Sequence, residues 1–397
     1  MDFALAPELE QLRQRTSDFV TEAVLPVEQD RSSWDEHENI RLDRLAELQA
    51  EARSRGLWAP QIPRALGGMG LSRLAMAVMY QEANRSLFGP VACNAAAPDD
   101  GNMMLLAAVA SPAQQDRWLR PIALGRVRSA FAMTEPAPGG GSDPGMIRTR
   151  ATRRGGRWVI EGRKWFITGA GIAQHFILIA RTSDDPRRGL SAFLFDRDQP
   201  GWEIVRRIPI MGPEEHGGHC ELSFHGLEVA DENLLMGEGD GLKVTQIRLG
   251  PARLTHCMRW LGSCIRAHEI ASDYANRRSA FGKTLVEHQG VGFMLAENMI
   301  DLKQAELMID WCATVLDSGS LGTVESSMAK VAVSEALMRI ADRCVQVMGG
   351  TGVTDATIVE QVFREVRAFR IYDGPTEVHK FSLAKKIRRD WKAANGV

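Results

Sequence analysis

The segment Arg370-Ile371-Tyr372-Asp373-Gly374-Pro375-Thr376-Glu377 follows a long stretch of helical periodicity near the C-terminus of this 397-residue chain. It comes after a glycine-rich segment, Val347-Met348-Gly349-Gly350-Thr351-Gly352, so we expect a loop within a helical region. Asp-Gly is common in tight turns, and such a turn by itself requires no chemistry. An aspartate in this position is also a candidate general base that removes a proton from carbon. The other motifs of the chain decide between these two interpretations.

Proline and glycine divide the chain into regions of different periodicity. No proline lies between Pro251 and Pro375, and apolar residues recur there at helical spacing, which predicts several long helices. Gly319 and Gly322 mark the turn to a further helix over residues 326–348. One apolar stripe in this region is most simply packing between helices, and it consists of Val291, Met294, Leu295, Met299, Leu302, Met308, Trp311, Cys312 and Val315.

The N-terminal part, up to about Gly125, is also helix-like, whereas the middle contains short β-branched and aromatic runs punctuated by prolines. Gly155-Gly156 turns into one such run at 158–162, and a hairpin-like break separates it from the next at 165–168. We therefore predict an α+β fold of three domains. These are an N-terminal helical domain (1–128), a middle antiparallel β-domain (129–242) and a C-terminal four-helix-bundle domain (243–397).

Composition excludes several classes of function. A hydrophobic content of 44%, a charged content of 25% and a net charge of -2 are ordinary for a globular protein and do not indicate a nucleic-acid partner. No apolar run has the length of a membrane span, and no signal peptide is visible. Six cysteines without a C-x-x-C pair indicate free thiols in a reducing cytoplasm. No metal site is expected, since no metal-ligand spacing occurs among the nine histidines.

Two motifs lie at the entry to the β-region. The first, Met133-Thr134-Glu135-Pro136 followed by Gly139-Gly140-Gly141-Ser142-Asp143, places glycines where backbone N–H groups can cradle an anion. Its simpler interpretation is a flexible loop between domains. The second, residues 164–171, contains Phe166 and Thr168, which can set an aromatic ring and a hydroxyl against a planar cofactor. An ordinary strand with core aromatics explains the second motif equally well.

Two basic motifs lie in the C-terminal region. In Arg277-Arg278-Ser279-Ala280-Phe281-Gly282-Lys283, the guanidinium of Arg278 is a candidate partner for a pyrophosphate, although a basic helix end is an adequate structural explanation. In Arg248-Leu249-Gly250-Pro251-Ala252-Arg253, Pro251 suits the first turn of a helix. There Arg253 is a candidate to bind an acyl carrier or to orient a loop, and the alternative is a surface arginine.

Taken together and in this order, the motifs resemble the acyl-CoA dehydrogenase family over essentially the whole chain. The resemblance is greatest to the subgroup that follows a kinase-like domain in some larger animal proteins. It rests on five further segments: Cys93-Asn94, Ala97-Pro98-Asp99, Gly101-Asn102-Met103, His216-Gly217-Gly218-His219 and His256-Cys257-Met258-Arg259. The resemblance implies FAD as cofactor, an acyl-CoA substrate, an electron-transferring flavoprotein as electron acceptor and a role in fatty acid β-oxidation.

The resemblance also implies roles for individual residues. Met133, Thr134, Gly141, Ser142, Phe166 and Thr168 would contact FAD, with Thr168 reaching flavin N5. Arg278, Phe281, Gln346, Gly349 and Gly350 would contact FAD from a neighbouring subunit, which implies a homodimer or homotetramer. Ser142, Arg253, Tyr372 and Gly374 would bind the substrate.

Asp373 falls where most of the family have a glutamate base, and the resembling subgroup shares the aspartate. Some members place the base just before the conserved arginine, but that position is Ala252 here, which cannot serve. Pro375 and Glu377 replace residues that contact FAD in many members, so the sequence leaves open whether these two residues contact FAD. The implied reaction is α-proton removal by Asp373 with hydride transfer from the β-carbon to flavin N5, giving a trans-2-enoyl-CoA.

Two other functions stay open from the sequence. A flavin oxidase of the same fold, either an acyl-CoA oxidase or an enzyme like nitroalkane oxidase, would use the same residues. A non-catalytic flavin- or CoA-binding protein would not need the retained base. His216 and His219 are expected to be structural, with lining of the acyl pocket as the alternative, and acyl length, branching and hydroxylation are not readable from the sequence.

Overall fold

The structure is a computed structural model and describes residues 4–396. Its N-terminal part is helical, as the periodicity predicts. Helix α4 shows how the sequence sets an element, since the Ser72 side chain accepts a hydrogen bond from the Ala75 N–H and caps the first turn. The helices are α1 (Pro7–Phe19), α2 (Leu25–Gln29), α3 (Leu42–Ser54), α4 (Arg73–Ala83), α5 (Gly89–Ala92), α6 (Asp99–Val109), α7 (Pro112–Gln114) and α8 (Arg120–Ala123).

The middle of the chain forms one sheet, with the order β6-β7-β3-β2-β4-β5-β8 and with β1 paired to β4. Its strands are β1 (Ser129–Ala132), β2 (Arg150–Arg154), β3 (Arg157–Thr168), β4 (His175–Arg181), β5 (Leu190–Asp196), β6 (Trp202–Arg207), β7 (His219–Ala230) and β8 (Leu234–Leu235). Central strands are buried on both faces. Ile177 and Ile179 of β4 face the N-terminal helices, whereas Phe176 and Leu178 face an aromatic cluster.

Two details of the β-domain differ from the sequence prediction. The sheet is not purely antiparallel, because β1 runs parallel to β4 and Arg150 of β2 also pairs in parallel with Arg181. The expected hairpin-like break between 158–162 and 165–168 is wrong. Both runs belong to the single strand β3, whose register with β7 shifts between Ile160 and Glu161 and again between Lys164 and Ile167. Bulges bend a strand without ending it, so a local irregularity in the sequence resembled a turn.

The C-terminal part consists of long helices, as predicted. They are α9 (Gly241–Arg277), α10 (Gln289–Asp317), α11 (Thr323–Met348), α12 (Val359–Phe369) and α13 (Thr376–Asn395). A small hairpin, β9 (Ser279–Ala280) and β10 (Lys283–Thr284), joins α9 to α10. Gly319 and Gly322 adopt positive φ values between α10 and α11, where the sequence places a turn. The expected order of helices, strands and helices is confirmed.

Pro251 does not begin a helix, contrary to the sequence prediction. It lies inside α9, which starts ten residues earlier at Gly241. A proline inside a helix removes one backbone hydrogen bond, at a cost of about 3 kcal/mol. Here α9 is buried along most of its length against both the N-terminal and the C-terminal helices, so tertiary packing outweighs the local preference.

The N-terminal and C-terminal helical regions share one apolar core. Phe19 and Tyr80 from the first region lie in the same buried cluster as Leu261 of α9 and Leu337 of α11. The β-domain packs beside this core through its own clusters. The two helical regions are therefore fixed relative to each other at the level of the core, which allows residues far apart in sequence to build one site.

The apolar stripe of α10 is only partly buried. Met299 and Trp311, expected in the core, are 64% and 41% exposed, and Phe293, Ile300 and Leu307 on the same helix are exposed too. The last three recur every seven residues, so they form one continuous face of the helix. A long exposed apolar face of this kind is typical of surfaces that bind another molecule. No helix in the part of the chain described here is both long and apolar enough to cross a membrane.

Candidate active site

Asp373 lies in a short loop between the end of α12 and the start of α13, and its backbone adopts the left-handed conformation. Its φ is +53°, and that of Gly374 is +99°. A non-glycine residue in this region is strained by about 1 to 3 kcal/mol and persists only where its surroundings hold it. Here Nε of Arg253 donates to the carbonyl oxygen of Asp373 at 3.0 Å, and Nε2 of His379 lies 3.2 Å from the same oxygen.

Lys330 of α11 holds the loop from the opposite side. Its side chain is fully buried, and Nζ donates to the carbonyl oxygens of Phe369 at 2.7 Å and Gly374 at 3.0 Å. The ammonium also lies 5.0 Å from the centre of the Phe369 ring. Burial lowers the pKa of Lys330 to about 8. Since even a neutral amine has two N–H donors, both carbonyl contacts survive deprotonation.

Two cationic or polar donors face the Asp373 carboxylate. Nη1 of Arg248 lies 3.8 Å from Oδ1, and Nε2 of His256 lies 3.3 Å from Oδ2. Neither contact is a well-directed hydrogen bond. Arg248 is too far from Oδ1 to donate to it, and the buried Oδ2 accepts no hydrogen bond of good geometry from the described residues. A buried carboxylate oxygen with a free lone pair is what proton abstraction requires.

His256 is held as a neutral donor. Nη2 of Arg259 lies 3.0 Å from Nδ1 of His256, and since arginine can only donate, Nδ1 must accept and the ring proton sits on Nε2, towards Asp373. Arg259 is itself fixed by the buried carboxylate of Asp100, which also accepts from the Thr255 hydroxyl at 2.9 Å. Burial and Arg259 together lower the pKa of His256.

The surroundings of Asp373 keep it ionised. Burial alone would raise its pKa, but His256, Arg248 and Arg253 together bring the pKa well below the ordinary value for an aspartate. The carboxylate is therefore a base that is already deprotonated before a substrate arrives. The backbone N–H groups of Asp373 and Gly374 find no acceptor within residues 4–396, so two donors lie beside the carboxylate.

The predicted substrate residues lie around this loop. Arg253 contacts its backbone, in agreement with the loop-orienting alternative, and Gly374 follows the base directly. The hydroxyl of Tyr372 accepts a hydrogen bond from Trp260 Nε1 at 2.6 Å, and its ring lies 4.8 Å from that of His256. Tyr372 is thus part of the wall of the site. Whether it touches a substrate stays a prediction.

The first predicted flavin motif follows β1 and is anchored by a buried ion pair. Nζ of Lys164 donates to the Met133 carbonyl and to Glu135 Oε1, both at 2.8 Å. Glu135 in turn accepts from the N–H groups of Arg148 and Thr149 at the far end of the glycine loop. The backbone N–H groups of Met133 and Thr134 find no acceptor among the described residues, so they are open to a ligand.

The second motif lies at the end of β3, where the bulge re-aims its side chains. Phe166 has a φ of +52° and is 45% exposed in the middle of a strand, which is unusual for a phenylalanine. The Thr134 hydroxyl donates to the Trp165 carbonyl at 2.6 Å and ties the two motifs together. Thr168 ends the strand, and its hydroxyl lies 3.0 Å from Nδ1 of His219. The structure therefore brings Met133, Thr134, Phe166 and Thr168 together near the C-terminal end of β3.

Gly141 and Ser142 are exposed in the loop that follows Glu135. This loop borders a cavity of about 690 Å³, which the β4–β5 loop and the start of α9 also line. Four arginines line the cavity: Arg148, Arg150, Arg181 and Arg187. Arg150 pairs with Asp184, but the guanidinium groups of Arg148 and Arg187 have no ion-pair partner among residues 4–396. Two aspartates, Asp184 and Asp185, line the cavity too, so the four arginines leave its lining with a net positive charge.

The remaining predicted flavin residues do not join this group. Arg278, Phe281, Gln346, Gly349 and Gly350 are all exposed, and Phe281 is 97% exposed at the tip of the β9–β10 hairpin. Arg278 follows Arg253 by 25 residues along α9, a distance of about 37 Å at 1.5 Å per residue. The hairpin therefore lies far from the base of its own chain.

Comparison with known proteins identifies the family. The N-terminal, middle and C-terminal domain models of acyl-CoA dehydrogenases match residues 6–126, 130–227 and 239–387. A probable acyl-CoA dehydrogenase of Mycobacterium tuberculosis, FadE2, is 37% identical over 97% of this chain and 96% of the relative. The chain belongs to the acyl-CoA dehydrogenase family. It is a flavin-dependent oxidoreductase, and its cofactor is FAD.

Two further similar proteins support the family assignment. Acyl-CoA dehydrogenase family member 11 of Rattus norvegicus is 32% identical over 98% of this chain but only 51% of the relative, so the chain spans about half of that protein. A solved structure from Mycobacterium abscessus that carries the acyl-CoA dehydrogenase name has a TM-score of 0.91 and 32% identity, and covers 98% of this chain and 100% of that one. The similarity to family member 11 agrees with the subgroup expected from the sequence.

The flavin-side residues fit the cofactor. The open N–H groups of Met133 and Thr134 suit the polar edge of a flavin ring, and the exposed Phe166 ring suits its face. By contrast, no group of three or more metal-ligating side chains occurs in the part of the chain that the structure describes. The arrangement of Met133, Thr134 and Phe166 is therefore compatible with FAD, and their individual contacts with it stay a prediction.

Three residues of the site were missed by the sequence analysis as functional: Arg248, His256 and Lys330. Arg248 and His256 occur in segments quoted there, but no signal in a single sequence assigned them to the base. Lys330 carried no motif at all. A lysine in the buried stripe of a helix is the only signal that could have flagged it, because such a lysine needs partners. His216, expected to be structural, is buried with Nε2 2.6 Å from the Ile40 carbonyl.

Lys330→Met is expected to loosen the base loop. It leaves the carbonyls of Phe369 and Gly374 without their donor, which should cost about 2 to 4 kcal/mol in the free energy of unfolding. We expect a lower kcat with an unchanged FAD content, since the flavin-side residues lie on other elements. Urea unfolding, turnover and the flavin spectrum measure the three quantities.

The control for this variant is Lys243→Met, at an exposed position of α9 where the lysine side chain has no hydrogen-bond or ion-pair partner among residues 4–396. It should leave stability and kcat unchanged. Equal effects of the two substitutions would show that Lys330 does not hold the loop.

Proposed function

We propose that the protein removes the α-proton of an acyl-CoA thioester with Asp373 while FAD accepts the hydride of the β-carbon, giving a trans-2-enoyl-CoA. The observation that carries this proposal is the free lone pair of Asp373 Oδ2, buried beside His256 and Arg248 and held at a strained φ. The alternative base position is Ala252, which has no acid–base group. Among the residues around the loop, Asp373 is thus the one suited to be the base.

The other residues of the site support proton removal in two ways. The N–H groups of Asp373 and Gly374 are available to the thioester oxygen, where negative charge develops as the α-proton leaves. Arg253, Lys330 and His379 fix the loop so that the carboxylate is pre-positioned, which reduces the entropy cost of alignment. Arg259 keeps the proton of His256 on the side of Asp373.

The basic cavity supports a CoA substrate over a simple carbon acid. Arg148 and Arg187 offer guanidinium groups without ion-pair partners, and Ser142 lies on the glycine loop between the cavity and the flavin motif. Unpaired guanidinium groups are suited to phosphates. A small nitroalkane would leave these arginines without a partner. We therefore favour a CoA thioester, with the nucleotide in this cavity.

The exposed hairpin supports a site shared between two subunits. Gln346 and Gly349 lie 16 and 19 residues beyond Lys330 on α11, or about 24 and 28 Å from the base loop. They and Arg278 therefore all lie far from the base loop of their own chain. We propose that they complete the site of a second copy, whose contact includes the exposed apolar face of α10.

The flavin oxidase of the same fold stays the second candidate, because the base, the flavin residues and the fold serve both reactions. An electron-transferring flavoprotein is our proposed electron acceptor, and fatty acid β-oxidation is the proposed process, both from family membership. We propose the cytoplasm as compartment, since Cys93, Cys220, Cys257, Cys264, Cys312 and Cys344 are all free thiols.

Asp373→Asn is expected to keep FAD and to lose anaerobic bleaching of the flavin by acyl-CoA. Removal of a general base lowers the rate of its step by about 10² to 10⁴. Stopped-flow absorbance with a panel of saturated acyl-CoA thioesters measures the loss, and Glu377→Gln, at an exposed acid in the first turn of α13, is the matched control.

Bleaching of Asp373→Asn at the wild-type rate would show that another group is the base. Bleaching of the wild type by nitroalkanes and not by acyl-CoA, or stoichiometric hydrogen peroxide release in air, would instead favour the oxidase.

Arg187→Gln is expected to weaken binding of the nucleotide part of CoA. One lost charge-assisted contact of about 1.4 kcal/mol corresponds to an increase in KM of about tenfold. The KM for the matching pantetheine thioester, which lacks the nucleotide, should not change. Arg154→Gln, an exposed arginine on the same domain that does not line the cavity, serves as control. Equal KM changes for both thioesters would place the nucleotide elsewhere.

Phe281→Ala and Asp373→Asn are expected to complement each other. Each homo-oligomer should be inactive, the first from loss of FAD and the second from loss of the base. A mixed dimer contains one site with both residues intact, so about a quarter of the sites should be active after random mixing in a two-fold assembly. Co-expression with two affinity tags followed by turnover measures this. Absence of activity in the purified mixed species would show that the hairpin serves its own chain.

A further inference from the structure

A second set of polar contacts begins at Thr168, on the flavin side of the site, and ends at Glu215, which lines a pocket together with His256. Thr168 and His219 are directly paired across β3 and β7, and the Thr168 hydroxyl lies 3.0 Å from Nδ1 of His219. Nε2 of His219 lies 2.9 Å from Oε2 of Glu215. The ring N–H at Nε2 is not aimed at this oxygen, so the contact is an ion pair and not a well-directed hydrogen bond.

The backbone holds this arrangement in place. Gly217 and Gly218 adopt φ values of +83° and +62°, which turns the chain sharply between Glu215 and His219. The carbonyls of these two glycines accept hydrogen bonds from Gly171 at 3.0 Å and Gly169 at 2.7 Å. The loop that carries Glu215 is thereby joined to the loop that follows Thr168, so the contact is not an accident of two mobile side chains.

Charges around His219 favour its protonated form. Burial opposes the charge, but Glu215 and Glu214 together raise the pKa of His219, while Arg207 of β6 acts in the opposite sense. Burial likewise opposes ionisation of Glu215, whose pKa His219 lowers to about 2. Glu215 is 38% exposed, so water screens part of this attraction. Helix α12 adds Glu365, whose pKa burial and Glu215 raise well above the ordinary value.

The protonation state of His219 fixes the direction of the hydrogen bond to Thr168. A charged imidazole carries protons on both nitrogens, so Nδ1 donates to the Thr168 oxygen and the threonine proton points elsewhere. A neutral imidazole that keeps its proton on Nε2, beside Glu215, accepts the threonine proton at Nδ1. One titrating group thus decides whether Thr168 is a donor or an acceptor for whatever lies beyond it.

We propose that the His219–Glu215 pair sets the hydrogen-bond direction of Thr168, so that Thr168 donates to the flavin ring while His219 is charged and accepts when His219 is neutral. This inference rests on the proposed function and on the contact between Thr168 and the flavin that the family resemblance implies. A donor at the ring stabilises the electron density that the ring gains on reduction. His219 is therefore a positioning residue that makes the redox properties of the bound flavin depend on pH.

The test measures the midpoint potential and the visible spectrum of the bound flavin as functions of pH in the holoenzyme. The wild type should show a break at the pKa of His219, which NMR of ring-labelled histidine gives independently. We expect no break in His219→Gln. In Glu215→Gln the break should move down by at least about one pH unit, because the anionic partner is gone.

Two threonine variants and one histidine variant sharpen the test. Thr168→Ser keeps the hydroxyl and should keep the break, whereas Thr168→Val should lose it. His216→Gln alters the neighbouring histidine, which contacts the Ile40 carbonyl and not Thr168, so its profile should match the wild type. A merely structural role for His219 would lower stability and leave the pH profile in place.

The proposal is overturned if the break persists in His219→Gln or Thr168→Val. Normal bleaching by acyl-CoA together with that result would leave the proposed function standing. A protein that binds no flavin would instead remove the proposed function. The histidine NMR titration would then still test the interaction between His219 and Glu215. If Glu215→Gln left the pKa of His219 unchanged, the proposed role of this pair would be overturned.

Discussion

The left-handed backbone at Asp373 is the constraint on which the site depends. An aspartate at a φ of +53° is held there only because three helices contribute donors to the surrounding carbonyls. Arg253 comes from α9, Lys330 from α11 and His379 from α13. The base is thus positioned by the C-terminal bundle as a whole. The shared core with the N-terminal helices then fixes that bundle against Asp100, which orders Arg259 and His256.

Arg248, Arg253 and His256 lower the pKa of the Asp373 carboxylate. A carboxylate with a lower pKa is a weaker base, which is an apparent disadvantage for proton removal. Proton removal transfers the negative charge from Asp373 towards the thioester oxygen, so the charge stays inside the site. Arg248 and His256 remain close to it throughout. The electrostatic stabilisation lost at the carboxylate is therefore offset in part at the developing enolate, and a fixed environment needs no reorganisation to provide it.

Sequence reasoning predicted the elements and motifs that depend on local pattern, and it missed those that depend on contacts between distant segments. Asp373, Thr134 and Thr168 could be named as candidates because each lies in a short motif that carries the family resemblance. Lys330 gains its role only from the packing of α11 against the loop 39 residues later. The pairing of Thr168 with His219 depends on the β3–β7 register, which a bulge shifts and which periodicity cannot locate.

The errors have the same origin. Pro251 suggested a helix start because proline disfavours a helix interior, yet the packing of α9 on both sides overrides that preference. Met299 and Trp311 suggested a core because apolar spacing does not distinguish a face buried by its own chain from a face covered by another. The exposed apolar face of α10 is informative in itself, because α10 directly follows the hairpin that carries Phe281.

The length of α9 connects these observations. This helix has 37 residues, and its N-terminal half contains Arg253, which holds the base loop. Its C-terminal end leads directly into the hairpin that carries Phe281. Arg253 and Arg277, at the end of this helix, are 24 residues apart, which is about 36 Å at 1.5 Å per residue. The hairpin therefore lies far from the base loop of its own chain, and we propose that it meets a flavin bound at Met133 and Thr168 of a second chain. The exposed Phe281 ring and the exposed apolar face of α10 both support this proposal, because each is a surface that a second chain would cover.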